Sequence, residues 1–232
     1  DRFRMEFEGL LASQENNRRA LDKLPELVSW CAKHGLYQQA LTLLCEQMPE
    51  YICSHIFLQP TESGLKYLET RKENRGKPWV YPLFHFHFCR MALLQLKLPY
   101  TVDLRLNRNR GNEDGNILFG VANAEEVHDY VNEAIDFGQL VIDHKVQRQV
   151  EGAALLYQRV IHYRNQVNHA NDTSFGLQSD RILPLDIAHI EQLLQDVTDY
   201  LQEIRPMRPN VPQGVKALPV TMTISAGTTP AL

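Results

Sequence analysis

Apolar residues recur every three to four positions along most of the chain, which is the spacing of one face of an α-helix. The first such stripe consists of Leu24, Leu27, Val28 and Cys31. Pro25 suits the first turn of this helix, and Gly35 suits the position just after its end. The second stripe, between Gly35 and Pro49, consists of Leu36, Ala40, Leu43, Leu44 and Met48. Pro49 is expected to kink or stop this second helix, whose apolar face is continued by Tyr51, Ile52 and Ile56.

The second half of the chain carries three more stripes at helical spacing. The first consists of Val127, Val131, Ala134, Gly138 and Val141. The second consists of Val150, Ala154, Tyr157 and Ile161. The third, for which Asp186 is a suitable N-cap, consists of Ile187, Ile190, Leu194, Val197, Leu201 and Ile204. Long helices, short connections and few strand signals predict an all-α helical bundle.

This pattern divides the chain into regions. Residues 1–205 are predicted to form one helical domain, in which residues 60–120 are an inserted loop-rich segment with one further helical stripe. Residues 206–232 are predicted to be a Pro-containing tail that is poorly ordered, because its prolines cannot continue the last helix. The chain begins at Asp1 within a charged amphipathic stretch, so we expect it to be a fragment of a longer protein.

Composition limits the kinds of partner that the chain can bind. It has 24 Lys and Arg residues against 28 Asp and Glu residues, a formal net charge of −4. Attraction of nucleic acid to the whole surface is therefore excluded, and any RNA site must be a local basic patch. No run of 18 or more apolar residues predicts a membrane span. No CxxC pair occurs, which favours reduced core thiols in a cytoplasmic protein at Cys31, Cys45, Cys53 and Cys89.

The chemistry-bearing candidate is Arg164-Asn165-Gln166-Val167-Asn168-His169, at the end of a predicted helix. It contains the only Arg-x4-His in the sequence. Arginine is always charged and forks onto phosphate oxygens, and histidine titrates near neutral pH and can transfer a proton. Asn165 can orient His169 or donate to a phosphate. RNA supplies its own nucleophile, the 2′-OH, so such a site requires neither a metal nor a cofactor.

The helical spacing of these residues poses a geometric problem. Asn165 and His169 are four residues apart and share one helix face, as do Arg164 and Asn168. Arg164 and His169 are about 140° apart around the helix at 100° per residue. One regular helix therefore cannot aim both side chains at the same atom. Two copies of the helix, facing each other across a two-fold axis, would create a composite groove in which they converge.

Two stretches of the sequence resemble a known family. Arg164-Asn165-x-x-x-His169 resembles the signature of HEPN ribonuclease domains, in which an Arg and a polar residue precede a His by several positions. Residues 24–44 resemble the opening helices of HEPN domains in CRISPR-associated CARF–HEPN effector proteins. The resemblance extends over two regions of the chain, residues 20–60 and 120–205.

The resemblance implies a HEPN-like helical bundle that works as a cytoplasmic homodimer. It implies an endoribonuclease in type III CRISPR antiviral defence that cleaves single-stranded RNA, with Arg164, Asn165 and His169 as catalytic residues. Family members are switched on by cyclic oligoadenylate bound to a CARF sensor domain. No alternating β/α pattern of such a sensor occurs in this sequence, so the activator would act only through a domain outside the chain.

Several alternatives compete with this interpretation. The motif can be a polar helix end with a structural role, in a non-catalytic α-helical dimerisation or scaffold module. His85 and Cys89 are four residues apart and could form the edge of a metal site, but no further ligand pair is evident, which favours structural packing or a solvated face. Two basic groups, within residues 71–77 and 105–110, could guide RNA or could lie in solvated loops.

Overall fold

The computed structural model describes residues 21–69, 124–169 and 186–218, and these ranges are mostly helical. The helices are α1 (Leu24–Lys33), α2 (Tyr37–His55), α3 (Glu62–Glu69), α4 (Ala124–Asp136), α5 (Gln147–His169) and α6 (Ile187–Ile204). Two short strands, β1 (Leu58–Pro60) and β2 (Leu140–Ile142), and a 3₁₀ turn (His144–Val146) complete the order. The predicted all-α class is confirmed for the described residues, apart from the two strands.

The first helix begins and ends as the sequence predicts. Pro25 lies in the first turn of α1, where a missing N–H costs nothing. Gly35 follows the end of α1 with φ +69°, a conformation that residues with a Cβ rarely adopt. The amide of Leu36 donates to the Cys31 carbonyl oxygen at 2.9 Å and closes the turn. The second helix does not stop at Pro49, which lies buried inside α2.

The stripe predicted from Val127 to Val141 is wrong at its C-terminal end. Val127, Val131 and Ala134 are buried on α4, but that helix ends at Asp136. Gly138 then adopts φ +64°, and its amide and that of the next residue donate to carbonyl oxygens of the last helical turn. Val141 belongs to β2. The apolar spacing thus continues past the end of α4, which is set by the backbone conformation of Gly138.

The two strands form a small antiparallel sheet that the sequence prediction missed. Leu58 pairs with Ile142, and Pro60 pairs with Leu140. Strands of three residues are too short to display the alternation by which a strand is recognised. Thr61 links α3 to the segment before β2, because its hydroxyl oxygen accepts from the Gly64 amide at 3.1 Å and its hydroxyl donates to the Gly138 carbonyl oxygen at 2.6 Å.

The core lies between α1, α2, α5 and α6, and α2 contacts each of the other three. Asp186 caps α6 as predicted, since its Oδ1 accepts a hydrogen bond from the His189 amide at 2.9 Å. The stripes predicted for α5 and α6 supply buried residues to this core, among them Val150, Ala154, Tyr157, Leu194, Val197 and Leu201. The arrangement brings the end of α5 beside the start of α2.

After α6 the chain runs back over the sheet. The side-chain amide of Gln59 in β1 donates to the Lys216 carbonyl oxygen at 3.1 Å, and its oxygen accepts from the Leu218 amide at 2.8 Å. Asn210 donates to the Asp143 carboxylate at 3.0 Å. We call residues 205–218 the C-terminal strap. Residues 219–232 and most of the predicted insertion at 60–120 lie outside the described residues.

Candidate functional site

The predicted site residues lie on one uninterrupted helix. Arg164, Asn165 and His169 all belong to α5, and His169 is its last residue. The helix predicted for the motif is therefore confirmed, and the angle of about 140° between Arg164 and His169 applies to the backbone of α5. The side chain of His169 lies outside the described part of the structure.

Arg164 lies at the boundary between α5 and α2. Its side chain is half-buried, and its Nε atom is buried without a hydrogen-bond partner in the described ranges. Nη1 donates to Oδ1 of Asn165 at 3.2 Å. Burial raises the pKa of the Cys45 thiol on α2 to about 12, and the positive charge of Arg164 acts in the opposite direction. One edge of the guanidinium therefore faces protein.

In the part of the chain that the structure describes, no ion pair balances the charge of Arg164. Arg159, one turn earlier, lies 3.6 Å from the Asp196 carboxylate, and Arg205 lies 2.6 Å from that of Glu26. Within residues 21–69, 124–169 and 186–218, no carboxylate lies within 4 Å of a nitrogen of Arg164. A cation that, among the described residues, is bonded to a neutral carboxamide and to no carboxylate retains its attraction for an anion such as phosphate.

Asn168, which shares a helix face with Arg164, is hydrogen-bonded to α2. Oδ1 of Asn168 accepts a hydrogen bond from Nε2 of Gln38 at 3.0 Å. About three turns before Asn168 on the same face, the Tyr157 hydroxyl donates to the Cys45 carbonyl oxygen at 3.1 Å. The Arg164–Asn168 face of α5 is therefore directed at α2, and the Asn165–His169 face lies about 100° away.

Sequence reasoning missed a buried polar group beside the motif. Tyr163 is completely buried, and its hydroxyl has no hydrogen-bond partner in the described part of the chain. Burial raises the pKa of this phenol. The apolar stripe predicted for α5 runs through Tyr157 and Ile161, and nothing in its spacing distinguishes Tyr163 from a surface tyrosine. Gln38 was missed for a related reason, since a contact over 130 residues leaves no local signal.

A cleft of about 800 Å³ lies under the C-terminal strap, near the far end of α2. Its lining includes Asp22, Ser54, His55 and Arg208. His55 is buried, with Nδ1 3.4 Å from the Met207 carbonyl oxygen and Nε2 3.9 Å from the Asp22 carboxylate. Burial lowers the pKa of His55. The cleft is separate from the motif, because Gln38 and His55 are about 25 Å apart along α2 at 1.5 Å per residue.

Other predicted features receive no structural account. His85, Cys89 and both basic groups lie outside the described residues. In the described ranges, no three side chains of the His, Cys, Asp and Glu types group closely enough to hold a metal ion. None of the described helices is long and apolar enough to cross a membrane.

Comparison with known proteins assigns no relative to the chain: no protein-family model, no curated protein and no solved structure matches it.

Proposed function

We propose that this chain is the HEPN-type ribonuclease domain of a CRISPR-associated effector, which cleaves single-stranded RNA without a metal ion. The observation that carries the proposal is the state of Arg164, which is half-buried, hydrogen-bonded to Asn165 and free of any ion pair in the described ranges. A cation that no carboxylate of the described residues neutralises, near the end of a helix that terminates at His169, fits a site for a phosphodiester.

In the proposed reaction Arg164 binds the non-bridging oxygens of the scissile phosphate and stabilises their charge in the transition state. His169 accepts the proton of the adjacent 2′-OH, whose oxygen attacks phosphorus. The bond from phosphorus to the 5′-oxygen breaks as that oxygen takes a proton from water, and the protonated His169 returns its proton to the solvent. The products are a 2′,3′-cyclic phosphate and a 5′-OH end. Asn165 orients the guanidinium through the hydrogen bond that it accepts.

A second copy of the chain completes the proposed site. Arg164 and His169 are separated by about 140° on one helix, so the groove must combine α5 from two copies. Specific activity should therefore rise with protein concentration. Cyclic oligoadenylate should neither bind nor stimulate this chain, since the proposal places the sensor in a separate domain and a ligand shifts an equilibrium only by binding two states differently.

The test is cleavage of a labelled single-stranded RNA by the wild type and by His169→Ala. We expect a loss of about 10²-fold or more in His169→Ala, the scale of acid–base catalysis. His144→Ala is the matched control, because His144 is exposed on the 3₁₀ turn. EDTA should not inhibit, and a substrate with hydrogen in place of the 2′-OH at the cut site should not react. Equal rates for His169→Ala and wild type would overturn the proposal.

The competing function is a non-catalytic helical scaffold. The contact between Gln38 and Asn168 favours it, because this contact gives part of the motif a structural task. A wild-type protein that forms dimers but leaves RNA intact at every concentration would establish the scaffold instead.

A further inference from the structure

The first turn of α2 contacts two other helices through consecutive residues. The Tyr37 hydroxyl donates to Oε1 of Glu191 in α6. Nε2 of Gln38 donates to Oδ1 of Asn168 in α5 at 3.0 Å. We call these two residues the α2 clamp. The clamp joins the last turn of α5 to the first turns of α6.

The last turn of α5 is the part of that helix that most requires an external contact. The final carbonyl groups of a helix have no partners within it, so helix ends fray. A reacting group must nevertheless be held to about 0.5 Å of its productive position. Asn168 lies one turn after Arg164 and directly before His169. A hydrogen bond to its side chain therefore restrains the segment on which the proposed chemistry depends.

We propose that Gln38 is a positioning residue for the site at the end of α5, acting through Asn168. This inference rests on the proposed ribonuclease function and adds a residue from a distant part of the sequence to it. Gln38 is exposed and contributes little apolar burial. Its effect should consequently appear in the order of the last turn of α5 and in the chemical step, while the core keeps its stability.

Charge at position 38 distinguishes positioning from a general electrostatic effect. Gln38→Lys keeps a donor for Oδ1 of Asn168 and adds a positive charge beside the Arg164 face. Gln38→Glu accepts from the Asn168 amide once that group rotates, and adds a negative charge. Both variants should retain kcat, with KM for RNA lower for Lys and higher for Glu. Gln38→Ala should lower kcat about 3- to 10-fold with KM little changed, the range of one hydrogen bond.

Hydrogen exchange of backbone amides tests the inference without RNA. Gln38→Ala should speed exchange at residues 166–169 about 3- to 10-fold, the range of one hydrogen bond. Gln39→Ala, at the exposed neighbouring position, should not change this exchange. Tyr37→Phe removes the other arm of the clamp and should affect the first turns of α6 instead. Unchanged exchange at residues 166–169 in Gln38→Ala would overturn the inference.

The activity assay and the exchange measurement test two different proposals, so one can fail without the other. If the wild type does not cleave RNA, the proposed function falls, and the exchange data still decide whether Gln38 restrains α5. If the wild type cleaves RNA and Gln38→Ala matches it in both kcat and exchange, the clamp has no positioning role. Faster exchange with a lower kcat, restored by Gln38→Lys, supports the whole inference.

Discussion

Nη1 of Arg164 donates a hydrogen bond to Oδ1 of Asn165, its neighbour in the chain, at 3.2 Å. Side chains of adjacent helical residues diverge by about 100°, so the long guanidinium must bend around the helix to reach the shorter amide. The contact draws the cation from the face directed at α2 towards the face of His169. Within one copy of the chain, this contact therefore reduces part of the angular separation between the Arg164 guanidinium and His169.

We expect Arg164→Lys to lower RNA cleavage by about 10-fold and Arg164→Ala by about 10²-fold or more. Lysine keeps the charge, but it cannot fork onto two phosphate oxygens as a guanidinium does. Asn165→Ala should have a milder effect than Arg164→Ala if the amide only orients the guanidinium. Single-turnover rates at saturating RNA give the comparison, and Arg148→Lys, at an exposed position early in α5, is the control. A fully active Arg164→Ala would remove this arginine from the mechanism.

The sequence predicted the helical elements around the site because their apolar spacing is local information. The stripe leading through Val150, Ala154 and Tyr157 placed the motif on a helix, and α5 confirms that placement. That Arg164 and Asn168 share one helix face also follows from their spacing alone. No local pattern could reveal that this face meets α2 through Cys45 and Gln38, since such contacts arise only when distant segments pack.

The errors of prediction occur where one residue's backbone conformation overrides spacing. Val141 fits the apolar stripe of α4, yet Gly138 ends that helix with φ +64° and begins the approach to β2. Pro49 was expected to kink or to stop the second helix, and the stop does not occur, because α2 continues through it. Burial of Pro49 among the core helices stabilises α2 at this position, although proline has no backbone N–H to form the helical hydrogen bond.

Gly64→Ala should destabilise the protein by about 1–3 kcal/mol, the cost of forcing atoms into a filled space. A Cβ at this position would lie 2.1 Å from the Gln139 carbonyl oxygen, so the backbone of α3 or of the segment before β2 must move. Gly152→Ala is the matched control, since its nearest neighbour would be a Tyr200 ring carbon at 4.0 Å. That substitution should stabilise α5 by up to about 1 kcal/mol. Urea unfolding followed by circular dichroism measures both, and equal effects would refute the close contact.

Tyr163→Phe should leave the free energy of unfolding unchanged or raise it. The Tyr163 hydroxyl is buried without a hydrogen-bond partner in the described ranges, and an unsatisfied buried hydroxyl is costly. Tyr51→Phe is the comparison, because the equally buried Tyr51 hydroxyl donates to the Leu201 carbonyl oxygen at 3.0 Å. Losing that bond should cost about 0.5–1.5 kcal/mol. In thermal unfolding, Tyr51→Phe should therefore be less stable than Tyr163→Phe. A larger loss of stability in Tyr163→Phe would reveal a hydrogen-bond partner for the Tyr163 hydroxyl.

The stability of the protein should fall as the pH drops below about 6.5, the ordinary pKa of histidine, because of His55. Burial lowers the pKa of His55, and the charges of Arg205 and Arg208 act in the same direction. The Met207 carbonyl oxygen and the Asp22 carboxylate oppose this change without cancelling it. The unfolded chain therefore binds a proton at a pH where the folded protein still excludes it.

That difference favours the unfolded state progressively as the pH falls from the unfolded pKa towards the lowered folded one. His55→Gln supplies the control, since glutamine does not titrate and its amide can still donate to the Met207 carbonyl oxygen. Urea unfolding of both proteins between pH 7.5 and about 5 should show the wild type losing stability relative to His55→Gln. The eight other histidines are common to both proteins, so their titration cancels in the difference. A constant difference across this range would mean that His55 has the same pKa in the folded and the unfolded protein, which would contradict a pKa lowered by burial.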